Sequence, residues 1–468
     1  MSSTSGKCPQ CQALATKVAA LETELERVRS QLAAAKKNSA TSSKPPSSDI
    51  VKPKPPERSD GLPRSIGGQP GHDKHERQPF PPERITRFET HVLHACLDCG
   101  GALRLNPTIP RVVQQVDIET MPLTIEQHTC PEYWCDACQK PCRAPFPLRI
   151  ARGGLVGPHL TALIAFMKGD CHASYSTIRT FLRDCVGVTL ARSTLADTID
   201  KVSRALDGPY DELLRYLPDA RLLNVDETGH KSNKESWWTW CLRADLYTIF
   251  KIDPHRSADV LMDLLGRDFQ GVIGCDYFSA YRRFMRECGV TVQFCMAHLI
   301  RDVKFLTTLP DAGTKAYGER LRCALKELFA VIHRRDEQAP LVFQRRLEAA
   351  RDVVLRAGMT DVPPTRHAGN MARRFRKHGE AFFTFITTPD VEPTNNRAEQ
   401  AIRFVVIDRH ITQGTRSETG RRWSERIWTT IATCVGQGRS VFEYLERCIG
   451  NWFEGRPSPS LLPSEATT

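Results

Sequence analysis

The sequence predicts a multidomain chain of mixed α+β and α/β type. Three observations carry that reading. Apolar residues recur with heptad spacing near the N-terminus, two Cys-x-x-Cys pairs flank a β-rich stretch, and short apolar strands alternate with helices in the second half. A chain of 468 residues has room for more than one domain at roughly 100–200 residues each. With 40% hydrophobic and 25% charged residues, most of it should be globular.

The first element, within residues 1–37, is a coiled-coil-like helix. Leu14, Val18, Leu21, Leu25, Val28 and Leu32 repeat at alternating spacings of 4 and 3, which lines them along one narrow seam. Three heptads are marginal alone, so the seam would assist dimerisation rather than drive it. The competing reading is an amphipathic helix docked on its own chain. Residues 38–85 read as a basic linker, because SSKPPSSD, VKPKPPE and GGQPGH are dense in Pro, Ser and Gly and cannot build a core.

Residues 86–145 read as a small zinc-binding β module. Cys96 and Cys99 form one Cys-x-x-Cys pair, Cys135 and Cys138 the other. Four thiolates so paired can close a tetrahedral structural Zn²⁺ site. The strand-like runs Arg111–Val113 and Gln115–Ile118 could fill the long gap as a hairpin. Cys130 and Cys142 leave the ligand choice open, and Cys8 with Cys11 is a lone pair of weak specificity.

Residues 150–215 form a helical, helix-turn-helix-like region. An apolar helix (LTALIAFMKG) is followed by a second over Tyr175 to Cys185, a turn at Val186-Gly187-Val188, and a third starting at Ser193. Arg179, Arg183 and Arg192 are placed to meet phosphate, although plain helical bundles show the same pattern.

From Leu222 the periodicity changes to strands. Leu222–Val225 ends in Asp226; Ser236–Leu242 and Leu246–Phe250 follow; Ala258–Leu265 is a helix; Gly271–Gly274 precedes Asp276; Val290–Phe294 is the fifth strand. This order is that of a ribonuclease-H-like α/β core, predicted over residues 220–302 and 391–435. Residues 303–390 are helical and basic and read as an inserted subdomain. After them a helix capped by Thr394 or Asn396 carries Glu399. Residues 436–468 are left as a C-terminal tail.

Charge and composition narrow the function. Lys+Arg 65 against Asp+Glu 54 gives +11, which suits a polyanionic partner. The N-terminus has no apolar signal-like stretch, and no run approaches the roughly 18–20 uninterrupted apolar residues of a membrane span. A cytoplasmic location follows as the expectation, with the 17 cysteines reduced and clustered pairs pointing to metal.

Asp226, Asp276 and Glu399 are the candidate chemical residues. Phosphodiester cleavage needs a hard cation to polarise phosphate and ionise water, and Mg²⁺ prefers carboxylate oxygens. Strand ends that lie side by side would bring Asp226 and Asp276 together, with Glu399 reaching in from a helix. Acidic residues often end strands as solvated turn starts, however, and spacing alone does not decide the matter.

The surrounding words do. Val225-Asp226-Glu227-Thr228, Gly274-Cys275-Asp276-Tyr277 with Ala280-Tyr281, and Asn395-Asn396-Arg397-Ala398-Glu399 resemble the three catalytic motifs of the insertion-sequence-66 family of bacterial transposases. The zipper-like start, the SSKPPSSD and GGQPGH linker, the two cysteine pairs, Cys295-Met296-Ala297-His298 with Arg301-Asp302, and Thr433-Cys434 also resemble that family in order. The resemblance implies a DDE transposase with an RNase-H-like core. Asp226, Asp276 and Glu399 would bind catalytic Mg²⁺ or Mn²⁺, and Cys96, Cys99, Cys135 and Cys138 structural Zn²⁺. It further implies double-stranded DNA as partner (element ends and target), a homo-oligomer of at least two chains, accessory proteins of the same element, a nucleoid-associated location and no membrane. One residue departs from the pattern: Gln400 stands where the family usually has Arg. Arg397 or Arg403 on the same helix would then contact DNA in its place, or the chain would be a weak or inactive DNA-binding regulator. His298 reads either as a phosphate contact or as a buried structural histidine. Trp237, Trp238 and Trp240 read as strand core, and Glu227 as facing away from Asp226.

Overall fold

The computed structural model describes residues 9–35, 80–85, 123–137 and 139–462. The chain forms two compact units, one of residues 1–53 with 128–468 and one of residues 54–127. The described part of the smaller unit is a single 3-10 turn, Pro82–Arg84, with its flanking residues, and a stretch without regular secondary structure over 123–127. Most of the linker, the 111–118 strand runs, Cys8, Cys96, Cys99 and Cys138 lie outside the described residues.

Helix α1, Pro9–Ala35, contains the heptad run. Its six seam residues are all solvent-exposed, from 46% at Val28 to 66% at Leu14. Strands β1 (Glu132–Cys135) and β2 (Lys140–Arg143) pair as an antiparallel hairpin, with Cys135 opposite Lys140 and Tyr133 opposite Cys142.

The helical region comprises α2 (Leu148–Gly153), α3 (Pro158–Gly169), α4 (Tyr175–Phe181), α5 (Arg192–Ala205) and α6 (Asp207–Tyr216). By length and composition, Leu148–Gly169 is apolar enough for a membrane span. It is nevertheless broken into α2 and α3, and α3 packs against α5. Ser174 caps α4 by accepting from Thr177 N at 3.0 Å. After α4 the chain widens into a π turn over Leu182–Val186, which Gly187 closes in the left-handed region (φ 77°). The third helix starts one residue before the expected Ser193: Ala191 is its N-cap, and Ser193 falls inside the first turn. Ala191 is extended (φ −72°, ψ 154°), so the backbone turn into the helix occurs before the serine.

The central sheet is five-stranded and mixed, in the order β5-β4-β3-β6-β7. β3 (Leu222–Ser232), β4 (Glu235–Arg243) and β5 (Thr248–Asp253) are antiparallel neighbours; β6 (Val272–Cys275) and β7 (Thr291–Phe294) extend the sheet in parallel from β3. Helix α7 (Ala258–Leu265) connects β5 to β6, and α8 (Ser279–Cys288) connects β6 to β7. β3 runs well beyond the predicted strand, so Asp226 lies inside it rather than at its end. The cause is the hairpin partner: β4 keeps pairing through Asp226↔Cys241 to Ser232↔Glu235, while β6 leaves β3 after Asn224↔Gly274. Asn233 and Lys234, both at positive φ, make the two-residue turn.

Helices α9 (Met296–Leu306), α10 (Ala312–His333), α11 (Pro340–Met359), α12 (Arg366–His378) and α13 (Thr384–Thr387) follow β7. α14 (Asn396–Thr412), α15 (Glu418–Gly436) and α16 (Val441–Phe453) complete the chain. α14 packs on β3 and β4, α15 on β5, and α16 on α3. Residues 436–468, expected to be a tail, thus include a helix with Tyr444, Leu445, Cys448, Ile449 and Phe453 buried. Trp240 is fully buried, as expected of strand core; Trp237 and Trp238 are half-buried under Arg421 and Arg256 at 4.2 and 4.6 Å.

β5 is an edge strand, and an edge exposes unpaired N–H groups. Here the side chains of Glu425, Thr429 and Thr433, one turn apart on α15, accept from the amides of Ile252, Phe250 and Thr248 at 2.8, 3.0 and 3.1 Å. The strand's period of two matches the helix's spacing of four, so one helix face satisfies one strand edge.

Candidate active site

Parallel pairing fixes where the two aspartates fall. Asn224 is opposite Gly274, so Asp226 and Asp276 each lie two residues beyond the same rung, where β6 has ended. Asp226 Oδ1 accepts from Glu227 N at 2.9 Å, and Asp276 Oδ1 accepts from Phe278 N at 2.8 Å as the chain turns into α8. Burial raises the Asp226 carboxyl well above its ordinary value, and the negative charges of Glu227, Asp276 and Glu399 raise it further. Burial and Glu227 push Asp276 up to about 7, against the Phe278 amide and Arg256, which lower it.

Glu399 is brought in by the residue four before it. Asn395 occupies the N-cap position of α14, so neither Thr394 nor Asn396 is the cap. Its side chain makes no capping bond because it is used elsewhere. Asn395 Oδ1 accepts from Asn224 Nδ2 at 2.9 Å, and its Nδ2 donates to Val225 O at 2.8 Å. The Asn395 carbonyl accepts from Glu399 N at 3.2 Å, and the Asn395 amide donates to Cys295 Sγ at 3.2 Å. Gly274 makes room for this contact: a Cβ there would lie 2.7 Å from Asn224 Nδ2.

From α9, His298 Nδ1 lies 3.6 Å from Glu399 Oε1, and Arg301 lies 3.6 Å from Glu399 Oε2. Burial, then the Arg301 charge, lower His298 to about 4. Glu227, next to Asp226 and therefore on the other strand face, is buried. It takes two bonds from Arg256, at 2.8 and 2.5 Å, and one from the Tyr281 hydroxyl. A tethered carboxylate of this kind is poorly placed to act as a free ligand.

The basic candidates are dispersed. Arg179, Arg183, Arg192 and Arg403 are exposed; Arg183 pairs with its neighbour Asp184 at 2.5 Å, and Arg192 donates to Ser176 Oγ at 2.6 Å. Arg397 pairs with Asp245 at 2.7 Å, away from Glu399, and Gln400 is exposed. Of the four cysteines predicted to bind zinc, Cys135 ends β1 and the other three lie outside the described residues. Sequence reasoning missed Arg301 as the cation nearest Glu399 and missed the Asn224–Asn395 contact. The Arg301-Asp302 word was visible, but nothing in it indicated which helix it would face.

Comparison with known proteins shows the family of the chain. A family model described as "Transposase IS66 family" matches residues 153–422, and a family of unknown function matches residues 9–78. An uncharacterised protein, y4hP of Sinorhizobium fredii (strain NBRC 101917 / NGR234), is 22% identical over 402 residues, covering 76% of this chain and 70% of its own length.

Proposed function

Because the chain belongs to the IS66 transposase family, we propose that it cuts DNA at the ends of its element and joins the freed 3′ hydroxyls to target DNA, with Asp226, Asp276 and Glu399 as catalytic carboxylates. The observation that carries this reading is the meeting of the three at one place. Two stand beyond the same rung of parallel strands, and the third is tied to that rung through Asn395. The strand order and the helical stretch between β7 and α14 support a ribonuclease-H-like core with an insertion.

The donor set fits a hard divalent cation. It is built of carboxylate oxygens, and burial first, then the negative charges of Glu227, Asp276 and Glu399, raise the Asp226 carboxyl, a cost that a bound cation would offset. Asp226, Asp276 and Glu399 would hold Mg²⁺ or Mn²⁺, which when bound supplies phosphate polarisation and water ionisation. Asn395 and Gly274 keep the β3 rung and α14 in register, and Arg301 places a positive charge 3.6 Å from the second oxygen of Glu399. The Arg256–Tyr281–Glu227 cluster keeps a fourth carboxylate out of the set.

Arg179, Arg183, Arg192, Arg397 and Arg403 are proposed phosphate contacts. The Cys96, Cys99, Cys135 and Cys138 module is proposed to bind structural Zn²⁺, and the exposed α1 seam to assist pairing of two chains on two DNA ends. The test is strand cleavage of element-end DNA by the purified protein in Mg²⁺. The parent should nick at the end and Asp226→Asn, Asp276→Asn and Glu399→Gln should not, while all four still bind the DNA. An Asp226→Asn protein that cuts like the parent would remove the assignment. A parent that binds ends but never nicks them in Mg²⁺ or Mn²⁺ would make the chain a DNA-binding regulator instead.

A further inference from the structure

We propose that Cys295 Sγ, His298 Nδ1 and Glu399 Oε1 form a binding site for one zinc-class divalent cation, distinct in chemistry from the three-carboxylate site and sharing Glu399 with it. One ligand atom from each of the three residues lies within 4.8 Å of the other two. Cys295 is 2% and His298 8% exposed. His298 Nδ1 and Glu399 Oε1 are both buried and have no hydrogen-bond partner; at 3.6 Å they are too far apart to satisfy each other. Two unsatisfied polar atoms facing each other beside a thiol are costly to keep, and a cation between them would satisfy all three groups.

The donor set selects the metal class. A thiolate, an imidazole and a carboxylate are the ligand types of Zn²⁺, which binds four ligands tetrahedrally, whereas Mg²⁺ prefers an all-oxygen shell. Three protein ligands leave the fourth position for water or a phosphate oxygen. Cys295 and His298 are arranged for this by the local fold. Cys295 is the residue before α9 and His298 lies in its first turn, so both point from one helix end. The Asn395 amide donates to Cys295 Sγ at 3.2 Å, which favours the anionic sulfur, as does a helix N-terminus. Because the site takes Oε1 of Glu399, zinc bound there competes with Mg²⁺ for that carboxylate. That consequence rests on the catalytic reading of Glu399; the binding site does not.

The test counts zinc equivalents per chain on the full-length protein after stripping and reloading. It compares the parent with Cys295→Ser, His298→Gln and Cys135→Ser, the last to break the other proposed zinc site. Cys295→Ser and His298→Gln should each hold one equivalent fewer than the parent, with unchanged circular dichroism. Equal zinc content in the parent and both variants would overturn the site. If either variant fails to fold, X-ray absorption of the zinc retained by Cys135→Ser decides. One sulfur with nitrogen and oxygen neighbours supports the site; a sulfur-only shell, or no retained zinc, overturns it. Zinc content is read without DNA, so loss of the transposase reading and loss of this site are separate outcomes.

Discussion

Asn224 and Asn395, 171 positions apart in sequence, are joined by a buried hydrogen bond of 2.9 Å from Nδ2 to Oδ1. The contact links the strand that carries Asp226 to the start of the helix that carries Glu399. Neither asparagine is chemically reactive, yet between them they fix the distance over which two catalytic candidates can meet. The side-chain amide nitrogen of Asn395 donates to Val225 O, the carbonyl immediately before Asp226.

Asn395→Ala should therefore cost stability and activity together. It leaves Asn224 Nδ2 and Val225 O buried without partners, at about 1–3 kcal/mol each. Urea unfolding should show a loss of about 2–6 kcal/mol. Cleavage per folded molecule should fall as well, because α14 loses its tie to β3. Unchanged cleavage in the folded fraction would mean that Glu399 is positioned by other contacts.

Gly274→Ala tests the same junction from the side of β6. Its Cβ would meet Asn224 Nδ2 at 2.7 Å, forcing the amide away from Asn395. We expect a loss of about 1–3 kcal/mol, the usual cost of overpacking. Combining it with Asn395→Ala should cost less than the sum, since both break one contact. Strict additivity in the double mutant would refute the shared cause.

Thr429→Val tests the helix-to-edge arrangement. The hydroxyl of Thr429, fully buried, accepts from Phe250 N at 3.0 Å. Valine keeps the shape and removes the acceptor, leaving one buried amide unpaired at about 1–3 kcal/mol. Hydrogen exchange should accelerate most at Phe250. Exchange unchanged there would show that β5 is protected by burial alone.

His230 supplies a pH signature away from the carboxylates. Its ring is buried between the hydroxyls of Thr415 and Thr239, at 3.0 and 3.3 Å. Burial, then Arg409 and Arg421, lower it from 6.5 to about 4. The unfolded chain therefore takes up the proton first as pH falls. The stability this residue contributes is complete above 6.5 and is lost as pH drops through about 4. The stability advantage of the parent over His230→Gln should accordingly shrink between these two values. An advantage that is constant or grows in acid would contradict this account.

Much of the fold was legible because its signals are local. Helix α7 has the bounds that its apolar pattern predicts, and β4, β6 and β7 fall within two residues of theirs. β3 was read too short: the alternation through Thr228 to Ser232 is polar, and only pairing with β4 reveals it as strand. The cap of α14 was misassigned for a related reason. Asn395 has the right residue type, but its side chain is claimed by β3, which no local rule foresees.

By itself the sequence determined the order of the elements, the three acidic residues in their family words, and the cysteine and histidine at the start of α9. These depend on residue type, periodicity and short spacing, all of which are written along the chain. Only the tertiary structure decided which partners those residues meet. Arg301, not Arg397, stands beside Glu399; His298 faces it without a hydrogen bond; α15 rather than another strand covers β5. The physical reason is that parallel pairing of β3 with β6, and packing of α9 and α14 near the ends of those strands, join residues more than a hundred positions apart. Contacts at that range are fixed by the sum of core packing, not by any segment's own preference.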